Sequence, residues 1–172
     1  MITVRLDSEE LKAAFKKLEA SALDLTPAMR AIAGTLAYET EKNFEEQGRP
    51  KWASLQNPPE RRKGGMILQD TGGLAASVST DYDQTQAMVG SNKVYAAIHQ
   101  LGGTTSAHTI RPQKKKALKF GGVIVKRVNH PGSEIPARPF LPIVGDGGLQ
   151  PEAEQGVLKA IMRHLERSVG SQ

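Results

Sequence analysis

Val78-Ser79-Thr80-Asp81-Tyr82-Asp83-Gln84-Thr85-Gln86-Ala87-Met88-Val89 is the stretch on which the fold class turns. Val78, Thr80 and Tyr82, then Ala87 and Val89, alternate with polar neighbours, the period of strands covered on one face. Asp83-Gln84-Thr85 between them has turn composition, so the stretch reads as a β-hairpin. Everything N-terminal to it follows a different period. Asp7 and Glu10 make a capping-box start for a first helix, and Leu11, Phe15, Leu18 and Ala22 follow at helical spacing. Thr26-Pro27 opens a second helix, with Thr suited to the N-cap and Pro to the first turn. Met29, Ile32, Ala33, Leu36, Thr40 and Phe44 line one side of it. Gly48 is its expected stop, and some twenty residues make it about 30 Å long.

C-terminal to the hairpin, Tyr95, Ile98 and Leu101 can share a short helical face that Gly102-Gly103 ends. Thr109-Ile110-Arg111, Ala117-Leu118-Lys119-Phe120 and residues 122–128 are strand-like, with turns at Pro112-Gln113-Lys114, Gly121-Gly122 and Asn129-His130-Pro131-Gly132. Pro136-Ala137-Arg138-Pro139-Phe140-Leu141-Pro142 is held extended by its prolines. A last helix begins near Pro151, with Val157, Leu158, Ile161, Leu165 and Val169 on one face. Helix, helix, strands, helix predicts a single α+β domain over residues 1–172. Helices at about 8–22, 27–46 and 152–168 are expected to pack on one antiparallel sheet from about 77–128, with long loops protruding at about 48–66 and 104–136.

Composition narrows the function classes. Of 172 residues, 38% are hydrophobic and 24% charged, which suits a packed core. The absence of cysteine excludes disulfides, thiolate metal sites and a Cys nucleophile. No apolar run approaches the roughly 20 residues of a membrane span, and residues 1–6 lack a secretory signal's apolar stretch, so a soluble, cytoplasm-made chain without membrane contact is expected. Net charge is +5, unevenly spread: residues 1–47 hold 6 basic and 9 acidic side chains, residues 48–138 hold 14 and 5. Residues 111–127 carry Arg111, Lys114, Lys115, Lys116, Lys119, Lys126 and Arg127 and no acid. Such a stripe can meet phosphates, meet an acidic protein surface, or stay hydrated. Lys114, Lys115 and Lys116 are expected at the tip of a hairpin or long loop, because alternation sends adjacent strand residues to opposite faces.

No motif of catalysis accompanies this charge. His99, His108, His130 and His164 form no HExxH or other close ligand pair, there is no GxSxG elbow, and none of the glycine pairs belongs to GxGxxG or GxxxxGK[ST]. No catalytic, cofactor-binding or metal-ligating residue is assigned, and the chain reads as a non-enzyme. Trp52 reads as an anchor into the chain's own core or, second, as a partner contact. Arg138 and Phe140 have the residue types of interface hot spots on a rigid backbone, while Phe140 and Leu141 equally suit a packed edge strand. The candidate interface or lumen set is thus Trp52, Arg111, Lys114, Lys115, Lys116, Lys119, Arg138 and Phe140.

Four motifs recur together in this order: Gly48-Arg49-Pro50-Lys51-Trp52; Ile67-Leu68-Gln69-Asp70-Thr71-Gly72-Gly73-Leu74; Tyr95-Ala96-Ala97-Ile98-His99-Gln100-Leu101-Gly102-Gly103; and Pro136-Ala137-Arg138-Pro139-Phe140-Leu141. With them the chain resembles phage virion morphogenesis proteins, the tail completion family of Mu-like phages, over roughly residues 8–168. Residues 110–120 with Val128-Asn129-His130-Pro131-Gly132 also resemble minor tail and head–tail connection proteins of long-tailed phages. The resemblance implies a small α+β structural protein of the neck or tail end, made in the host cytoplasm and ending in the virion. It implies assembly into a ring, often hexameric, against neck, connector and tail tube proteins, with no cofactor. A lysine loop lining a channel would touch packaged DNA only transiently. A different reading of the 111–127 stripe is a sequence-independent nucleic-acid binder, although 5% aromatics give little for bases to stack on.

Overall fold

The computed structural model describes residues 9–56, 62, 64–113, 115–120, 122–145 and 147–170. Its elements run α1 (Glu9–Leu23), α2 (Thr26–Glu45), β1 (Val78–Tyr82), β2 (Ala87–Ser91), α3 (Ala96–Leu101), β3 (Gly103–Thr105), β4 (His108–Ile110), β5 (Leu118–Phe120), β6 (Val123–Val125), β7 (Val128–His130), β8 (Ser133–Ile135) and α4 (Pro151–Gly170). The class is α+β, as the change of period at Val78 predicts. The capping pair at Asp7 and Glu10 lies outside the described residues and side chains.

The single sheet expected over 77–128 does not form. Among the described residues the strands make four separate two-stranded antiparallel ladders. β1 pairs with β2, as the hairpin reading requires, and this ladder lies on α2. Its turn is held by the Asp83 carboxylate, which accepts from Thr85 N–H (2.6 Å), the Thr85 hydroxyl (2.9 Å), Gln86 N–H (2.9 Å) and Gln86 Nε2 (2.8 Å). Those donors, Thr85 first, lower its pKa to about 2.

After α3 the chain doubles back on itself: β3 pairs with β8, β4 with β7 and β5 with β6. The result is one long, interrupted hairpin, here called the arm. Asn129 and His130, expected in a turn, belong to β7. β3 and β8, at three residues each, are shorter than the window in which alternation becomes visible, which is why periodicity did not disclose them. Among the described residues, the arm strands pack chiefly on their own partners.

The core sits where α2 ends. Phe44, Trp52, Ile67, Leu74, Ala96 and Phe140 form one buried cluster. The Phe44 ring meets Trp52 edge-on at 5.9 Å and Phe140 at 5.5 Å. Helix α2 stops because Gln47 (φ 56°) and Gly48 (φ 96°) turn left-handed. A Cβ at Gly48 would collide with the Trp52 indole and the Pro50 carbonyl, so the predicted stop is also a close approach. At its other end, Thr26 is helical rather than the N-cap, and Asp24 instead accepts from Thr26 N–H at 3.0 Å.

Helix α4 crosses α2 at Gly156, where a Cβ would come within 2.6 Å of Thr35 Cγ2, and α1 lies on α4. Ala153 is fully buried there. Three members of the expected α4 stripe are a correction: Val157 is half-buried, but Leu158 is 55% exposed and Ile161 and Leu165 are exposed too, as is Phe15 on α1 at 62%. Helical spacing does identify an apolar face, but no described layer of this chain covers it. Leu36, by contrast, is buried as its stripe position predicts. Leu36→Ala should therefore destabilise the fold by about 2–5 kcal/mol in chemical denaturation; a change below about 0.5 kcal/mol, typical of a surface site, would contradict its place in the core.

Candidate functional site

The four motifs converge on the end of α2. Trp52 donates from Nε1 to the Pro139 carbonyl at 3.0 Å. Arg138 donates from Nε to the Ala53 carbonyl (2.9 Å), from Nη2 to the Ser54 carbonyl (3.3 Å) and from its backbone N–H to the His99 carbonyl (2.7 Å). Gln100 Oε1 accepts from the backbone N–H groups of Phe140 and Leu141. Trp52, Arg138 and Phe140 are 7%, 6% and 1% exposed. Their burial agrees with the core-anchor reading of Trp52 and the packed reading of Phe140, and corrects the interface reading of Arg138 and the interface alternatives of the other two. An extended, proline-fixed strap cannot hydrogen-bond to itself, so where it is buried, at Arg138, Phe140 and Pro142, and half-buried between them, side chains from three other segments satisfy its backbone.

At the centre is a residue the sequence reading passed over. Asn43 is fully buried, donating from Nδ2 to the Phe140 carbonyl (3.1 Å) and to Gln150 Oε1 (3.0 Å), while its Oδ1 accepts from Arg49 Nε (2.9 Å). Arg49 Nη2 donates to the Glu39 carbonyl at 2.8 Å and lies 2.9 Å from the Glu39 carboxylate, off hydrogen-bond alignment. Gln150 Nε2 closes the ring by donating to the Arg49 carbonyl at 2.6 Å. One signal was available: Glu39 and Asn43 stand beside Leu36, Thr40 and Phe44 at helical spacing, polar residues on an apolar stripe.

His99, also in a motif, packs its ring against Tyr95 at 6.0 Å. Its Nδ1 is buried with no partner among the described residues. Burial, and secondarily the Arg138 charge, holds its pKa below the ordinary 6.5. The motifs therefore build the body of the protein.

The exposed chemistry lies on the arm. Arg111, Lys115, Lys116, Lys119, Lys126 and Arg127 are all exposed, and Lys114 lies outside the described residues. Of the lysine run, Lys115 and Lys116 lie in the loop between β4 and β5, not where β5 joins β6. Two residues face two between the β3–β8 and β4–β7 ladders, but residues 111–117 stand opposite Lys126 and Arg127 alone before β5 pairs with β6. This length mismatch gathers cations from both sides of the arm at one joint. Nearer the body, His108 and His130 are cross-strand partners with rings stacked at 5.1 Å. Among the described residues no group of three or more His, Cys, Asp or Glu is placed to hold a metal ion, and no helix is long and apolar enough to cross a membrane.

A family model, the phage virion morphogenesis family, matches residues 6–166, nearly the whole chain and all four converging motifs. The chain belongs to the phage virion morphogenesis family. Family membership assigns it a role in building the phage particle. Among relatives, Mu-like prophage FluMu G protein 2 of Haemophilus influenzae is 33% identical, covering 96% of this chain and 97% of that one. The putative capsid assembly protein G of Escherichia phage Mu is 32% identical over 81% of this chain and 79% of its own. No solved structure matches.

Two outcomes follow for the family's buried core as this chain builds it. Arg49→Met strands the Glu39 carboxylate in the interior and should destabilise the protein by about 3–5 kcal/mol in urea denaturation, with Arg49→Lys recovering only part because it lacks the guanidinium fork; an unchanged midpoint would show that the pair is solvated. For His99 the unfolded chain binds the proton first as pH falls through about 6.5, so folded stability declines with acid from that point down through the lower folded-state value. The melting temperature should drop between about pH 7.5 and pH 5.5, and drop less in His99→Gln. Equal slopes for the two proteins would remove His99 from the acid response.

Proposed function

We propose that the protein is a non-catalytic structural subunit of the phage neck or tail end, acting in tail completion or head–tail joining. On this reading it forms a ring, hexameric by resemblance, in contact with neck, connector and tail tube proteins. It is made in the host cytoplasm and becomes part of the virion. One observation carries it: an exposed arm, with seven basic residues and no acid between residues 104 and 133, stands on a body whose outer helical face is apolar and uncovered. Each of these surfaces is at a disadvantage alone and gains from a partner, which is the condition of an assembly subunit. Family membership and the name of the phage Mu relative, which speaks of capsid assembly, support the same direction.

The joint where Arg111, Lys115 and Lys116 face Lys126 and Arg127 also favours a second reading, binding of nucleic acid by charge. Duplex binding would weaken with salt at a slope of about 0.9 per phosphate neutralised. A ring subunit would show no measurable DNA affinity at physiological salt and still be required for joining.

Lys115→Ala, Lys116→Ala and Lys119→Ala together should leave the melting temperature nearly unchanged, since exposed substitutions usually fall within about 0.5 kcal/mol each. The same variant should yield particles in which heads and tails remain separate by negative-stain microscopy. Normal yields of infectious particles would reduce the arm's charge to a solvated surface.

A further inference from the structure

Two surfaces of this chain complement each other. The first is the end of the arm. Lys119 and Ile124 are direct cross-strand partners, so their side chains share one face of the β5–β6 ladder. Ile124 is 70% and Val123 61% exposed, on an isolated two-stranded ladder of a kind that is marginal in water without a surface to pack on. Residues 104–133 contain seven basic residues and no acidic one.

The second is a cleft of about 340 Å³ between α2 and β1, lined by Ala37, Phe44, Ala75 and Val78 together with Thr40, Gln69, Ser79 and Thr80, and edged by Glu41 and Glu45. Glu45 is held by Lys42 at 2.7 Å. Glu41, one turn away, is exposed and meets no cation among the described residues. Glu41 and Glu45 are the charged residues among those that line the cleft, and none of the lining residues is basic. A hollow with apolar and neutral polar walls and an acidic rim is thus carried by the same chain as an apolar tip with a cationic neighbour. Among the described residues, the main packing of the arm strands is against their own ladder partners.

We propose that the arm of one copy seats Ile124 in the α2–β1 cleft of a second copy, with Lys119 beside Glu41. Tip and cleft are different patches, so the contact is heterologous: it repeats head to tail and closes when the rotation between copies closes. This rests on the ring reading above and names the contact that would build the ring.

The test uses the full chain and three variants: Ile124→Asp, which disables the tip; Glu41→Lys, which disables the rim; and Glu41→Lys combined with Lys119→Glu, which restores opposite charges. Mass in solution is read by light scattering after size exclusion, with circular dichroism to show that each variant is folded. Wild type should be an oligomer, and each single variant a monomer. The charge-swapped double variant should regain the oligomer. Mixing the two single variants should give a heterodimer and nothing larger, because only one tip and one cleft remain competent between them. If both single variants keep the wild-type mass, the tip-to-cleft contact is wrong while a ring built through other faces stands. If wild type is monomeric at its highest soluble concentration and after cross-linking, the contact and the self-assembling ring both fall.

Discussion

Asn43 ties together three segments that the chain keeps far apart: the end of α2, the proline-fixed strap at Phe140, and Gln150 at the start of α4. Its amide is fully buried, so each of its polar atoms must find a partner inside the protein or forfeit the hydrogen bonds it had in water. Arg49 satisfies its oxygen and is in turn neutralised by Glu39, while Gln150 returns to the Arg49 carbonyl. Removing a partner from such a network leaves a charge or an amide stranded in low dielectric. The partners of the Asn43 amide therefore dictate where the strap runs. The strap in turn places Phe140 against Phe44 and Arg138 over the Trp52 loop.

From that fixed centre the molecule divides its labour. The body uses Phe44, Trp52 and Phe140 for packing, while Phe15, Tyr38, Tyr82 and Tyr95 remain exposed. The arm leaves its root at Gly102, whose φ of 74° and close approach to Ala137 tolerate no side chain, and it carries charge with almost no covered surface. Rigid anchoring of a thinly packed arm is a physical arrangement suited to reaching a neighbour: its ordering on contact is confined to a few strands, and the core does not have to move. The uncovered faces of α1 and α4 extend the same logic, because burial that the chain does not accomplish internally can be accomplished by assembly.

Much of this was legible from residue order. The β1–β2 hairpin, its Asp83 turn, the course of α2 and its stop at Gly48, the short helix before Gly102, and the extended strap all follow from local chemistry: alternation, capping, left-handed backbone and proline geometry. The family was also legible, because Trp52, Gln100 and Arg138 occur within short motifs that keep their order. The arm's strands were only partly so. β5 and β6 announce themselves by β-branched and apolar residues, while β3 and β8 are polar three-residue segments that become strands only because each finds the other.

What the sequence by itself determined is therefore local: which stretches are helical, which are extended, where the cations accumulate, and to which family the chain belongs. Only the tertiary structure decided that Trp52, Arg138 and Phe140 are interior, that Asn43 is the junction of the body, and that the lysines sit at a joint with the tip left to Val123 and Ile124. The reason is that burial and pairing are properties of residues a hundred positions apart, such as Asn43 and Gln150. No local pattern reports whether an apolar or polar side chain will be met by a partner from elsewhere in the chain or left for another molecule.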